Sequence, residues 1–457
     1  MKAKKVLFLI LFSISILFSC KAGRTEVECA HPTLDLPSNG LELRGTMAVP
    51  QSGKLYLWST YGRQTQKIDS TQIQAGKFSF GVKQRQTGVY MIGINENNMC
   101  PIIINAKDVL CEIGFKTGKL EASLYEIDSK ENEGWATYMP QEMVLVRAIK
   151  DAKAAAFKTP DKKALFDEQA TKKESELLAL QNKLIAEYPQ TYFSKLLQWK
   201  QEPDKAKFDS YWNNIDFTDE TIVRSKVLSE RIESFMRTHS GGEESGFIKC
   251  VDAVATRAKV NDVVLEFALS QMLTGFYESG MENMCAYIID HYINGDACGD
   301  ADLTQTIKNT ATGIQQLAIG NTPPNILMYD INGSAFNLYE TAANKKYTLV
   351  MFWSSWCEHC KTEAPQVVSS YNLWKEKGFE IVAICIDNNE ASWKSAVAER
   401  GFQFTNLCGM NQYKSAVAQD YRITKTPTYF LLNDKKEIVL KPKSIKEAQS
   451  YLAVKLK

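Results

Sequence analysis

Nine consecutive residues, Trp353-Ser354-Ser355-Trp356-Cys357-Glu358-His359-Cys360-Lys361, hold the chain's densest chemistry. Two cysteines stand two residues apart, just after an apolar run and just before a predicted helix. This spacing predicts Cys357 at a strand end, its sulfur exposed near the helix N-terminus, and Cys360 one turn further in. The unpaired N–H groups of a first helical turn stabilise a thiolate there. His359 lowers the Cys357 pKa further when protonated. Cys357 is then the attacking thiol, and Cys360 resolves the mixed disulfide. Zinc needs about four ligands, and no second C-x-x-C or H-x3-H completes a set. The tight spacing equally disfavours a purely structural disulfide, which leaves dithiol exchange.

Several further residues fit one pattern together with this motif. They are the run Tyr347 to Trp356 (YTLVMFWSSW), Pro365 five residues after Cys360, and Thr426-Pro427 much later. From about Ile319 to Lys457 the chain resembles a thioredoxin-fold domain, and most nearly the TlpA/ResA-like thiol-disulfide oxidoreductases of bacterial envelopes. The resemblance implies that Pro427 is a cis-proline facing the cysteines and that Thr426 pairs with an extended substrate strand. It also implies that Glu363 raises thiol pKa values or shuttles the resolving cysteine's proton. Trp356 and Thr426 are expected at the substrate contact.

Two positions depart from the pattern. Met351 stands where cytosolic thioredoxins carry a buried Asp, which leaves Glu363 as the candidate proton carrier. His359 stands where the TlpA/ResA branch usually has Pro, and a His there is more typical of oxidising members. The alternatives are a solvated helix carboxylate for Glu363 and a neutral side chain with no tuning role for His359.

The rest of the chain must anchor and position this head. Its 457 residues are enough for about three domains. A formal net charge of +1 argues against nucleic acid or a polyanionic partner. Residues 1–20 read as a targeting segment, with Lys2, Lys4 and Lys5 before an apolar run too short to span a bilayer comfortably. The ending Leu17-Phe18-Ser19-Cys20 resembles a lipobox, which implies cleavage before Cys20 and lipid on its sulfur. Export makes disulfides possible among Cys29, Cys100, Cys111, Cys250, Cys285, Cys298, Cys385 and Cys408. Cys100 and Cys111 flank a turn at 105–108, close enough for a cross-strand bridge. Cys385 reads as a small core residue.

After a linker over 21–40, alternation and glycine punctuation over 41–120 predict a small β domain, a sandwich of about seven strands. Within it, 102–104 and 109–115 read as a hairpin. This segment is similar to the small β domain that precedes thioredoxin modules in Bacteroidetes-type lipoproteins. Residues 121–318 are predicted helical, with Thr159-Pro160 starting a helix that Pro189 stops. His239 and His291 read as structural or exposed. Over 319–457 the pattern is α/β: a hairpin turn at 329–333, a strand over 347–353, and a buried parallel strand over 379–387. A crossover helix over 390–400, a hairpin from strands 428–432 and 437–440, and a final helix with a Ser444/Glu447 capping box complete it.

The expectation is therefore a membrane-tethered envelope thiol-disulfide oxidoreductase, most simply a reductase. It needs no metal, flavin or nucleotide. Its expected partners are cysteine-containing envelope proteins, with apocytochrome c among those the resemblance implies, and an envelope redox donor or acceptor. A lipid anchor, more in keeping with the outer membrane, would hold it facing the periplasm. Two alternatives stay open: an oxidase or isomerase of secreted proteins, which His359 supports, and a binding lipoprotein whose thioredoxin module is inactive. A peroxidase is disfavoured because P-x-x-x-T-x-x-C is absent.

Overall fold

The computed structural model describes residues 40–47, 52–82, 86–121, 123–295, 297 and 303–457. The predicted leader, Cys20, Cys29 and Cys298 lie outside these residues. The architecture is multidomain: N-terminal β-sheets, a helical middle and a C-terminal α/β thioredoxin-like region.

The first eight strands are β1 (Leu41–Met47), β2 (Gly53–Tyr61), β3 (Gln64–Ile73), β4 (Lys77–Val82), β5 (Gly88–Asn95), β6 (Asn98–Ile104), β7 (Leu110–Phe115) and β8 (Leu124–Asp128). They form two four-stranded sheets, ordered β4-β1-β7-β8 and β3-β2-β5-β6. Strict alternation in β1 sends Leu41, Leu43 and Met47 inward, against Phe78, Phe80 and Phe115. The same apolar core runs on without a break into the helical region, through Trp135, Phe193 and Phe267.

The expected hairpin over 102–104 and 109–115 is not formed. β6 pairs with β5, whereas β7 pairs with β1 and β8 in the other sheet. β6 takes β5, which precedes it, as its hairpin partner, and its Ile102, Ile103 and Ile104 are all buried. The helix Lys130–Lys158 meets its other edge, where a strand neighbour would lie. Its Asn132 accepts from the Ile103 N–H at 2.8 Å and donates to the Ile103 carbonyl at 2.7 Å, and Trp135 donates to the Pro101 carbonyl at 2.9 Å. Cys100 and Cys111 accordingly sit in different sheets, both buried and without a bridge between them.

The helices Lys130–Lys158 and Lys163–Glu187 pack side by side, joined at Thr159-Pro160. Glu131 ties this pair to the next helix, accepting from the N–H groups of Tyr192 and Phe193 at 2.9 and 2.7 Å. Five more α-helices follow, ending with Gln305–Gln316. Among the described residues no helix is long and apolar enough to cross a membrane.

In the C-terminal region β9 (Leu327–Tyr329) and β10 (Ala335–Asn337) form the expected hairpin, its turn held by Asp330, which accepts from the N–H groups of Asn332 and Ser334. The main sheet contains β11 (Tyr347–Trp353), β12 (Phe379–Cys385), β13 (Thr405–Cys408), β14 (Thr428–Asn433) and β15 (Ile438–Leu440), in the order β13-β12-β11-β14-β15. β12 and β13 run parallel to their inner neighbours, and β14 runs antiparallel to β11. β11 is apolar on both faces, as a central strand must be. Leu349, Met351 and Trp353 face one core layer, and Val350 and Phe352 face the other.

The final helix, Ile445–Lys455, corrects the capping-box expectation. The Ser444 hydroxyl caps nothing. Glu447 instead accepts from the Lys443 N–H, and the Ile445 N–H is taken by Glu363 at 2.8 Å. A carboxylate arriving from another helix satisfies one of the orphan N–H donors of the first turn.

If Asn132 stands in for a strand neighbour of β6, Asn132→Leu leaves the Ile103 N–H and carbonyl buried and unpaired. The variant is expected to lose about 2–4 kcal/mol in urea unfolding. A loss below about 0.5 kcal/mol would contradict this role for Asn132.

Candidate active site

β11 delivers Trp353 to the edge of the sheet, and the chain then turns through Ser354-Ser355-Trp356 into the helix Glu358–Trp374. Cys357 is the N-cap of that helix, with extended backbone, and its sulfur accepts from the Cys360 N–H at 3.2 Å. One of the four orphan donors of the helix is therefore spent on sulfur. The Cys360 thiol donates to the Cys357 sulfur at 2.7 Å, and Cys357 lies 3.3 Å from the Thr426 carbonyl oxygen. Both cysteines are more enclosed than their spacing predicts: Cys357 is 7% exposed and Cys360 fully buried. Burial, with the Cys357 hydrogen bond second, pushes the Cys360 thiol up to about 12.

Thr426-Pro427 is a cis peptide bond between the helical turn before it and β14. Thr426 is half-buried, and its hydroxyl lies 3.4 Å from that of Ser354. Trp356 is half exposed and meets Tyr413 edge to face. His359, on the first helical turn, is exposed. Glu363 makes no direct bond to either sulfur. Its Oε2 accepts from the Tyr429 hydroxyl and from the Ile445 N–H, both at 2.8 Å. Tyr429 is the register partner of Met351, so its ring stands beside the position where an Asp was absent. Burial, then the charge of Glu363 and of both cysteines, holds its hydroxyl protonated far above the usual range.

Four side chains that frame the site had no motif in the sequence. Asp387, 2% exposed just past β12, accepts from the Ser355 N–H at 3.0 Å. Its other carboxylate oxygen is buried with no partner. Arg400, the last residue of the helix Glu390–Arg400, donates to the Ser354 and Ser355 carbonyls at 3.3 and 2.7 Å, and its guanidinium lies 4.7 Å from the Trp353 ring centroid. Tyr413 follows three left-handed residues, Met410, Asn411 and Gln412, with φ of 43°, 67° and 53°. That run costs backbone strain and carries the ring to Trp356. Tyr429 completes the set. An ionisable residue closing a buried parallel strand, as Asp387 does, is the one signal that a sequence offers here.

Beside Pro427 a groove of about 970 Å³ separates the sheet from the helical region. Tyr277, Glu278 and Glu282 line one wall, and Pro427, Lys441 and Lys443 the other. Glu282 pairs with Lys441 at 2.8 Å, and Lys425 donates to the Glu278 carbonyl at 3.1 Å. Neither cysteine lines the groove. Among the described residues no cluster of three or more His, Cys, Asp or Glu side chains offers a metal site.

Comparison with known proteins agrees with this geometry. Residues 319–441 match the model of the AhpC/TSA family. Over 138 residues the chain is 28% identical to the thiol-disulfide oxidoreductase ResA of Bacillus subtilis, which covers 30% of this chain and 74% of that protein. It is 30% identical over 109 residues to a thioredoxin-like protein of Haemophilus influenzae, covering 24% and 60%. The crystal structure of the thioredoxin domain of a Bacteroides vulgatus thiol-disulfide oxidoreductase is 27% identical, covering 31% of this chain and 99% of that one, with a TM-score of 0.29.

Burial, the largest cause of the raised Cys360 pKa, persists when Cys357 is replaced, so the Cys360 thiolate stays scarce at pH 8. In Cys357→Ser protein, iodoacetamide should alkylate Cys360 about tenfold or more slower than in the urea-unfolded control at pH 8. The rate should still be rising above about pH 9, where the unfolded control has levelled off. Equal rates in folded and unfolded protein would contradict the burial of Cys360.

Proposed function

We propose, from the premise that the C-terminal region is a TlpA/ResA-like thioredoxin-like oxidoreductase domain, that this protein reduces protein disulfides in the cell envelope through Cys357 and Cys360. The observation that carries the proposal is the Cys357 sulfur held between the Cys360 N–H and the Thr426 carbonyl, next to Pro427. A substrate strand paired with Thr426 would bring its disulfide to that sulfur. The Cys357 thiolate attacks one substrate sulfur, the other leaves as thiolate, and a mixed disulfide forms. Cys360 then attacks Cys357, which releases the second substrate thiol and closes Cys357–Cys360. Two electrons pass from the dithiol to the substrate.

The second step needs the Cys360 proton, which burial makes reluctant to leave. Glu363, one helical turn after Cys360, is the proposed acceptor, with Tyr429 as the hydroxyl that fixes its carboxylate. His359 is exposed on the first turn, between the two cysteines in the chain. Trp356 and Thr426 border the bound strand. The dithiol carries the electrons itself, so no metal, flavin or nucleotide is invoked, and an envelope dithiol donor recharges it. Substrates are cysteine-containing envelope proteins, apocytochrome c among them by likeness to the TlpA/ResA branch. A lipid on Cys20 tethers the protein facing the periplasm, in keeping with the outer membrane.

The test uses Cys360→Ala protein, which cannot resolve. Incubated with an envelope extract, it should accumulate covalent complexes that dithiothreitol releases and that Cys357→Ser/Cys360→Ala protein does not form. Wild-type protein should reduce insulin with dithiothreitol as donor, and Cys357→Ser should retain less than about 1% of that rate. Capture of the same partners by all variants would favour a binding module with an inactive thioredoxin fold.

A further inference from the structure

Besides Cys357 and Cys360, two cysteines stand side by side in the sheet. Cys385 ends β12, Cys408 ends β13, and the two are register partners on neighbouring parallel strands. Register partners leave a sheet on the same face, with strands about 4.8 Å apart. That spacing lies inside the roughly 4.4–6.8 Å range of Cα separations a disulfide spans. Cys385 is fully buried and Cys408 half-buried, with its sulfur 3.7 Å from that of Met410 and 3.8 Å from the Asp387 carbonyl oxygen.

We propose that Cys385 and Cys408 are a second redox-active pair, which closes to a cross-strand disulfide by exchange with a small-molecule disulfide. Cys408 is the sulfur such a reagent reaches. The neighbouring Cys385 thiol holds the Cys408 thiol below the usual range, while burial holds Cys385 far above it. The Cys408 thiolate attacks one sulfur of the reagent and expels the other as a thiolate. Cys385 then attacks the Cys408 sulfur and expels the second small thiol, which takes the Cys385 proton. Two protein thiols become one disulfide, and one small disulfide becomes two thiols.

The position of the pair gives this exchange a target. Cys385 is the register partner of Trp353, and the next residue, Ile386, donates to the Trp353 carbonyl at 2.9 Å. Asp387 follows and holds the Ser355 N–H. On the other strand Cys408 leads directly into the left-handed run that brings Tyr413 to Trp356. Closing the disulfide joins the two strand ends that support the rim of the Cys357/Cys360 site. The inference does not rest on turnover by Cys357.

The test uses the full chain carrying Cys357→Ala and Cys360→Ala, kept native with 2-hydroxyethyl disulfide, then alkylated, digested and mapped by mass spectrometry. The expected product is a Cys385–Cys408 linked peptide that dithiothreitol reverses, with both thiols absent from the alkylated pool. With Cys385→Ala added, Cys408 should persist as the hydroxyethanethiol adduct. Recovery of both residues as alkylated thiols would overturn the proposal, and so would a Cys408 adduct that persists although Cys385 is present. The linked peptide is read without altering either cysteine, so a failure of Cys385→Ala to fold leaves the test intact.

Discussion

The site depends on one contact, the Cys360 thiol buried against the Cys357 sulfur at the start of a helix. Cys357 caps the helix with its sulfur, so the N–H that would seek a side-chain oxygen is aimed at sulfur instead. Cys360 is enclosed by the layer that Trp353, Ala364 and Val367 help to build. Enclosure suppresses its thiolate, while the Cys357 sulfur keeps a helix N–H and the Thr426 carbonyl as neighbours. Two chemically identical side chains thereby acquire different roles, through environment alone.

The scaffold around them works to hold the turn 354–356 still. Arg400 binds two of its carbonyls and Asp387 one of its N–H groups, so the loop is held from the ends of two elements that follow it in the chain. Glu363 does a similar service on the far side, joining the active-site helix to the last helix through Ile445 and to β14 through Tyr429. Its carboxylate is thus a structural tie as well as the proposed proton acceptor. The helical region walls the groove beside Pro427, and the Glu282–Lys441 pair ties it to the sheet there.

Much of this was legible in the residues. The two-sided apolar run of β11, the C-x-x-C after it and the Thr426-Pro427 turn are local signals, and the thioredoxin-like sheet follows from them. What escaped depends on neighbours distant in the chain. Arg400 ends a crossover helix with nothing to mark its reach back to Ser354. Tyr413 is placed by three left-handed residues that no turn motif announces. Cys385 is the buried core residue its strand implied, but its neighbour Cys408 is set by which strand lies beside β12. The error over β6 and β7 has the same origin: β6 pairs backwards with β5, and the edge that β7 was expected to fill is met by the helix carrying Asn132.

The most direct measurement is the reduction potential of the Cys357/Cys360 couple, titrated in dithiothreitol redox buffers on purified protein with Cys357→Ser as control. The account predicts a single two-electron couple at or below about −230 mV, which Cys357→Ser abolishes. A couple between about −120 and −180 mV would instead describe an oxidant or isomerase. A protein with no couple that depends on Cys357 would contradict the claim that this pair carries electrons at all.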